Sequence, residues 1–413
     1  MNAREEVRAW IAAHWDPDLP LGEWRRLLLD SGWAAPSWPE EWFGRGLPPS
    51  TDAAVAEELA VAGAVGPPLG AGMGLAAPTL LAHASDGLKR ELLPPTVTGE
   101  TTWCQLFSEP GSGSDLAGLT TRADADGDEW VVNGQKVWTT SAHHADYGML
   151  LARTDWDVPK HHGITYFVLP MKQPGVDARP LRQMNGYASF NEVFLTDARV
   201  PAANVVGTPG DGWRVALTTL AHERGFATMR RRRFDPAGGW ALREASAEAD
   251  EYFATYSWYP QRAGRPDLAA DVAAATARRD DPVARQLIAG LVARQRAHDW
   301  TARRAQAARS ADRSPGPEGS LGKLAASDVA RDAAATHSLL AGVAGTLTGD
   351  DGLLGGVVAE ILTSVPAQSI AGGTDEIQRN IIGERVLGLP KEPAVDRDVP
   401  FREVPRNPGR SPT

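Results

Sequence analysis

A loop rich in serine and glycine is the segment of this chain whose residue types most clearly suggest a chemical function. It reads Ser108-Glu109-Pro110-Gly111-Ser112-Gly113-Ser114-Asp115 and follows the apolar run Trp103–Phe107. Glycine lets a ligand come close because it lacks Cβ, and successive backbone N–H groups in a turn form a concavity for anionic or carbonyl oxygens. We interpret residues 108–115, called the serine-glycine loop below, as a binding loop for a small molecule; the alternative is an ordinary surface turn.

A second group that could do chemistry is the adjacent pair Glu223-Arg224, near the end of a predicted helix that begins at Trp213. A carboxylate whose pKa is raised by burial works as a general base near neutral pH. On residue types alone, a Glu-Arg pair at this place is more typical of a solvated helix face. The pair therefore becomes a catalytic candidate only in combination with other features.

Composition excludes several classes of function. The 413 residues carry a net charge of −10 with a pI near 5.5, which argues against nucleic acid as the main partner. The single cysteine, Cys104, excludes an internal disulfide and a cysteine-based zinc site, and its apolar neighbours indicate core packing; no metal site is predicted. Because no apolar run reaches membrane-spanning length and the N-terminus lacks a secretion signal, we expect a cytoplasmic protein.

The elements that must position these residues fall into three blocks. Apolar residues at helical spacing, as in Glu5–Trp15, predict helices in the first hundred residues. Strand-prone runs up to about Val206 predict a compact β-barrel or sandwich that includes a hairpin turn at Asn133-Gly134. Long alanine-rich segments then predict a helical bundle, and the proline-rich end predicts a tail that is disordered or draped over a neighbouring subunit.

Three segments in this order resemble the acyl-CoA dehydrogenase flavoprotein family. The serine-glycine loop is similar to the family's first signature, Trp138-Thr139-Thr140-Ser141 to its second flavin segment, and Ile370–Ile382 to a segment near its C-terminus. The resemblance implies a mainly α fold with a central β-domain. The implied fold consists of an N-terminal α-helical domain (1–101), a middle β-barrel or sandwich (102–206), a C-terminal four-helix bundle (207–390) and a Pro-rich tail (391–413).

The resemblance also implies FAD as the cofactor. Ser108 would hydrogen-bond the isoalloxazine ring, Trp138 would stack near it, and the threonines after Trp138 would hold its polar edge. The residues so assigned to FAD are Gln105, Leu106, Phe107, Ser108, Gly113, Ser114, Trp138, Thr139, Thr140, Thr374 and Glu376. Those assigned to the acyl thioester are Ser114, Arg224 and Gly373.

The implied reaction is α,β-desaturation of an acyl thioester, in which a carboxylate removes the α-proton and the β-hydrogen leaves as hydride to flavin N5. In many members the glutamate stands just before the Gly-Thr pair of the C-terminal segment, but here that position is Gly372, which cannot accept a proton. Other members carry it on the first long helix of the C-terminal domain, just before an arginine. This chain has Glu223 and Arg224 there, so the resemblance predicts Glu223 as the catalytic base.

The implied partners are acyl-CoA or an acyl-carrier thioester, an electron-transfer acceptor, and further subunits in a homotetramer or a hetero-oligomer with a related chain. A role in fatty acid or lipid metabolism follows. The contacts to the adenosine half of FAD stay unassigned, because Met229–Phe234 and Leu340–Gly345 match the family patterns only loosely. Two alternatives remain open: a non-catalytic partner subunit of a hetero-oligomeric dehydrogenase, and a flavin monooxygenase on the same fold.

Overall fold

The structure is a computed structural model, and it describes residues 2–226, 232–310, 318–394 and 396–404. Part of the Met229–Phe234 run and the side chain of Arg224 therefore lie outside the described residues. Two compact units are present. The first comprises Met1–Leu181, Ala188–Glu251 and Glu392–Thr413, and the second comprises Arg182–Tyr187 and Tyr252–Lys391.

Helices dominate the N-terminal region. They are α1 (Ala3–His14), α2 (Leu21–Asp30), α3 (Ser50–Val61), α4 (Ala77–His83) and α5 (Asp86–Thr98). The first begins where the Asn2 side chain accepts a hydrogen bond from the backbone N–H of Glu5, whose own side chain accepts one from the backbone N–H of Asn2. This reciprocal cap satisfies two backbone donors that a helix start leaves open.

A single eight-stranded sheet follows. Its strands are β1 (Trp103–Leu106), β2 (Arg122–Asp126), β3 (Glu129–Thr140), β4 (Tyr147–Arg153), β5 (Ile164–Pro170), β6 (Val176–Leu181), β7 (Phe190–Pro201) and β8 (Val205–Val206). The order is β6-β7-β3-β2-β4-β5-β8, with β1 parallel to β4. Strand β4 is buried on both faces: Met149 and Leu151 enter one hydrophobic core, and Leu150 and Ala152 enter the other.

The remainder is again helical. Its helices are α6 (Gly212–Phe226), α7 (Trp240–Thr255), α8 (Tyr259–Arg262), α9 (Ala269–Ala275), α10 (Pro282–Ser310), α11 (Glu318–Ala341), α12 (Val357–Ser364), α13 (Pro366–Ile370) and α14 (Asp375–Ile381). The predicted fold class, mainly α with a central β-domain, is confirmed. In the part of the chain that the structure describes, no helix combines the length and apolar character needed to cross a membrane.

The predicted hairpin turn at Asn133-Gly134 is wrong. Both residues lie inside the continuous strand β3, where the pairing with β7 shifts register between Val132 and Gly134. A side chain at position 134 would collide with Thr121, at 2.5 Å from its Oγ1, so this glycine serves close backbone approach rather than a turn. The chain reverses earlier, at Gly127, whose φ of +66° suits a tight connection between β2 and β3.

The prediction for the tail is also wrong in part. Residues 396–404 pack on the chain's own β-domain, where the Phe401 side chain is buried and its backbone N–H donates to the carbonyl of Val158 at 2.9 Å. Phe401, an aromatic residue within a proline-rich stretch, supplies a local anchor that the overall composition of the tail does not reveal.

Candidate active site

Helix α6 carries the predicted base and is fixed to the rest of the first unit by a buried threonine. The Thr219 hydroxyl lies 2.9 Å from the hydroxyl of Thr79 on α4 and 3.2 Å from that of Tyr166 on β5. Val215 and Ala216 on the same helix are fully buried. Residues four apart share one helix face, so Glu223 projects one turn beyond Thr219, on the side that faces the sheet.

The Glu223 carboxylate lies beside strand β1. The side chain is half-buried, and its Oε2 accepts a hydrogen bond from Nε2 of Gln105 at 3.4 Å. Gln105 is half-buried as well and stands on β1, three residues before the serine-glycine loop. The structure therefore brings together two residues that are 118 positions apart in the chain, the predicted base and the first of the predicted flavin contacts.

The serine-glycine loop is anchored at its start and open at its tip. Backbone hydrogen bonds join Glu109 and Ser112 in both directions, at 2.9 and 3.0 Å, and close a tight turn. The Glu109 carboxylate is buried and accepts hydrogen bonds from the backbone N–H groups of Thr120 and Thr121 at 2.7 and 2.8 Å. Ser114 is exposed, so the end of the loop faces solvent.

An ion pair joins this loop to the second predicted flavin segment. Nζ of the fully buried Lys136 lies 2.8 Å from Oε1 of Glu109 and 3.1 Å from the carbonyl oxygen of Phe107. Burial by itself raises the pKa of Glu109, but Lys136 and the hydrogen bonds to Thr120 and Thr121 outweigh it and lower this pKa to about 2. The glutamate is thus a permanent anion at neutral pH, and it fixes one segment against the other.

Trp138 is turned outward by an irregularity in β3. The pairing with β7 shifts register between Lys136 and Thr139, and Trp138 itself has a φ of +63°, a conformation that costs a non-glycine residue about 1–2 kcal/mol. Its ring packs edge-on against Phe190, with centroids 5.8 Å apart, yet 55% of its surface is exposed. A bulge of this kind commonly redirects a side chain toward a ligand.

The residues assigned to FAD differ in accessibility. The side chains of Leu106 and Phe107 are buried in the two cores, so a ligand at this loop would meet only their backbone. Ser108 and Thr140 are half-buried. Thr139 is buried, and its hydroxyl has no hydrogen-bond partner within the described ranges.

The C-terminal segment belongs to the second unit. Gly372 and Gly373 adopt left-handed conformations with φ of +68° and +82°, and the Thr374 hydroxyl caps α14 by accepting from the backbone N–H of Ile377 at 3.3 Å. Glu376 is exposed. The segment therefore offers backbone and a capped helix start, but no carboxylate at position 372.

Sequence reasoning missed the charged residue that fixes this segment. Asp375 is buried and accepts from Lys323 at 2.8 Å and from Arg331. Burial raises the pKa of its carboxyl group, but the bonds to Lys323, Ser327 and Arg331 dominate and lower it. The sequence offered no local signal for this cluster or for Lys136, because each partner lies at least 27 residues away along the chain.

The surface around the serine-glycine loop fits an isoalloxazine ring, which is a flat apolar system with one polar edge. Trp138 supplies an accessible aromatic face, and Ser108 and Thr140 supply hydroxyl groups. Nothing within the described residues lies within 4 Å of where a Cβ would stand on Gly113, so backbone there is approachable. The unpartnered hydroxyl of Thr139 adds hydrogen-bonding capacity at the same place.

Comparisons with known proteins agree with this organisation. Family models described as the N-terminal, middle and C-terminal domains of acyl-CoA dehydrogenases match residues 2–100, 104–198 and 267–387. Acyl-CoA dehydrogenase IpdE1 of Mycobacterium tuberculosis is 38% identical over 375 residues, which cover 89% of this chain and 88% of the relative. The namesake from Mycolicibacterium smegmatis is 35% identical, with coverages of 94% and 97%.

Two solved structures support the same assignment. The Tcur3481-Tcur3483 steroid ACAD has a TM-score of 0.64 at 26% identity, covering 94% of this chain and 97% of that chain. The ChsE4-ChsE5 complex from Mycobacterium tuberculosis has a TM-score of 0.63 at 28% identity, with the same coverages. With all three domains matched and relatives similar over almost their whole length, this chain belongs to the acyl-CoA dehydrogenase family.

Proposed function

We propose that the chain is an FAD-dependent dehydrogenase that desaturates an acyl thioester between its α- and β-carbons, with Glu223 as the base. One observation carries the proposal: a half-buried carboxylate on α6 lies beside Gln105, on the strand that leads into the serine-glycine loop. A glutamate on a solvated helix face would contact water instead of that strand. Position 372, which holds the glutamate in many relatives of this family, is glycine here.

Glu223 removes the α-proton of the bound thioester. The Gln105 amide, which donates to Oε2, orients the carboxylate. The negative charge that develops on the thioester carbonyl oxygen needs fixed donors in a site shielded from water. We assign this role to backbone N–H groups at the exposed end of the serine-glycine loop, around Ser114.

The chemistry that FAD supplies when bound is acceptance of the β-hydrogen as hydride. The protein's part is to bind and orient the ring. Trp138 offers an aromatic face, and Ser108 and Thr140 offer hydroxyl groups. The Lys136–Glu109 ion pair keeps the two segments that carry these residues in one arrangement.

The test compares Glu223→Gln with His222→Gln, a neighbouring exposed position on the same helix. We expect both variants to bind FAD, because the amide oxygen in Glu223→Gln can still accept the hydrogen bond from Gln105 and His222 is exposed. Loss of the base lowers the rate of anaerobic flavin bleaching by acyl thioester about 10²–10⁴-fold in Glu223→Gln. The rate of His222→Gln stays close to that of the unaltered protein.

Equal bleaching rates for the two variants would contradict the assignment of the base. An unaltered protein that is colourless after purification would instead favour a non-catalytic partner subunit. Oxygen consumption with an external reductant and no acyl thioester would favour a flavin monooxygenase.

A second proposal concerns assembly. Two of the similar solved structures carry paired names, the ChsE4-ChsE5 complex and Tcur3481-Tcur3483, which supports a hetero-oligomer with a related chain over a homotetramer. The molecular mass in solution and the FAD content per chain distinguish the two states. A tetramer of this chain alone, with one FAD per subunit, would contradict the proposal.

The acyl group is proposed to be bulky and ring-bearing. One similar structure is named a steroid ACAD, and no described atom lies within 4 Å of the position that a Cβ would take on Gly372. Bleaching rates across a panel that runs from straight-chain acyl-CoA thioesters to ring-bearing ones test this proposal. Faster bleaching by short straight chains would contradict it.

A further inference from the structure

Residues 396–402 of the C-terminal tail lie along the loop between β4 and β5. Pro400 forms an isolated β-bridge with Pro159, and the backbone N–H of Arg402 donates to the carbonyl of Trp156 at 3.1 Å. The side chain of Arg402 pairs with Asp157. Residues 396–402, called the strap below, are thus attached by both backbone and side chains.

One lysine connects this strap to the serine-glycine loop. Nζ of Lys160 lies 2.6 Å from a carboxylate oxygen of Asp396 in the strap, and 3.0 and 3.1 Å from both carboxylate oxygens of Asp115 at the end of the loop. The lysine side chain is only 11% exposed. The Asp396 carboxylate is 23% exposed and that of Asp115 is 64% exposed, so the bond to the strap is shielded from solvent and the bond to the loop is partly screened by it.

A buried arginine makes a second connection. Arg153 donates to the carbonyl oxygens of Ala117 and Leu119, at 2.7 and 3.1 Å, just after the serine-glycine loop. The Phe401 ring covers its guanidinium group, at 3.5 Å from ring centroid to Cζ. Both Arg153 and Phe401 are shielded from solvent, which strengthens such a cation–π contact.

We propose that the strap positions the serine-glycine loop for ligand binding, through Lys160 on Asp115 and through Phe401 on Arg153. Lys160 and Phe401 are then positioning residues that touch neither substrate nor cofactor. The part of the proposal that concerns ligand binding rests on the proposed function, whereas the part that concerns loop conformation does not.

Hydrogen exchange at single amides tests the conformational part without any ligand. The N–H groups of Gly118 and Leu119 bond within the turn that follows the loop, and Arg153 holds the carbonyl oxygens of that turn. In the double variant Asp396→Asn/Phe401→Ala, we expect both amides to exchange about tenfold faster. The amides of Thr120 and Thr121 should stay unchanged, because Glu109 binds them independently.

The control is Asp398→Asn, the same substitution at an exposed strap residue. It should leave the exchange rates of the four amides, those of Gly118, Leu119, Thr120 and Thr121, within about twofold of the rates in the unaltered protein. The proposal is overturned if Gly118 and Leu119 keep their protection while the amides of Phe401 and Arg402 lose theirs. It is equally overturned if the amides of Thr120 and Thr121 accelerate as much as those of Gly118 and Leu119, since that indicates destabilisation of the whole region.

Substitutions at Lys160 keep the test decisive if the double variant fails to fold. Lys160→Gln should accelerate the same two amides, Gly118 and Leu119, and Lys160→Arg should restore most of their protection because the charge is kept. Equal exchange in the Gln and Arg variants would overturn the role of Lys160.

Ligand binding is then measured with FAD as the probe. We expect the dissociation constant for FAD to rise about fivefold or more in Lys160→Gln, with recovery in Lys160→Arg. An unchanged constant would overturn the ligand-binding part of the proposal. If the unaltered protein binds no FAD, the proposed function fails, whereas the exchange result still decides whether the strap positions the loop.

Discussion

The ion pair between Lys136 and Glu109 allows a prediction of definite size. Both side chains are buried, at 0% and 6% exposure, and the carboxylate also accepts three hydrogen bonds from Thr120 and Thr121. The three variants to compare are Lys136→Met, Glu109→Gln and the double variant.

The magnitude follows by two routes. Removing one partner leaves an uncompensated buried charge, which costs about 3–5 kcal/mol in the free energy of unfolding. The pKa of Glu109 falls from the ordinary 4.5 to about 2, which at 1.36 kcal/mol per pKa unit corresponds to about 3 kcal/mol, and burial lowers the pKa of Lys136, which offsets part of this gain at neutral pH. We therefore expect each single variant to lose about 3–5 kcal/mol, and the double variant to lose clearly less than the sum because no charge is stranded.

The assay is urea unfolding followed by tryptophan fluorescence at several pH values. A carboxyl group whose pKa is lowered by folding stabilises the folded state above its unfolded pKa, and this contribution disappears as the pH falls through its folded pKa. The stability difference between the unaltered protein and the double variant should therefore shrink by about 3 kcal/mol between pH 5 and pH 2.

A coupling energy below about 1 kcal/mol in this cycle would refute the reasoning, since surface ion pairs reach that value without burial. A stability difference that does not change with pH in that window would refute it as well. Either result would mean that the two predicted flavin segments are joined by something other than this pair.

Three further predictions concern other parts of the molecule. Asp375→Asn should cost about 3–5 kcal/mol in the unfolding of the second unit, whereas Glu376→Gln, on its exposed neighbour, should cost under about 0.5 kcal/mol; equal effects in urea titrations would contradict the role of the buried aspartate. Thr219→Val should lose about 1–3 kcal/mol, since it removes the hydroxyl that bridges α4 and β5, and an unchanged thermal midpoint would contradict this. Gly372→Ala should cost about 1–2 kcal/mol because of its φ of +68°; a calorimetric scan showing stabilisation would speak against a left-handed residue there.

Most of the fold could be predicted because periodicity and turn residues act locally. One of the long alanine-rich segments that predict a helical bundle forms α10, Pro282–Ser310. The error at Asn133-Gly134 arose because a dipeptide typical of hairpin turns also suits a strand position where another backbone passes closely. Turn chemistry alone cannot distinguish the two, since the neighbouring Thr121 precedes strand β2 and lies outside the dipeptide's local sequence.

The candidate site was predictable only where short motifs carry it. The serine-glycine loop and the segment around Trp138 could be found from their residues, and the predicted base does lie next to the strand that precedes the loop. The charges that fix these segments, Lys136 and Lys160, could not be found. Their partners are set by the tertiary fold, and a single lysine in a strand or loop gives no sign of which carboxylate it will meet.

Helix α6 has one more consequence. The hydroxyl that binds it to α4 lies one turn from the carboxylate at position 223, so one helix connects the hydrophobic interior to the proposed base. Amino-acid changes in the N-terminal helices, remote from any ligand, should then alter turnover by tilting that helix. Random mutagenesis screened for activity should accordingly return hits in α4 as well as around the ligand.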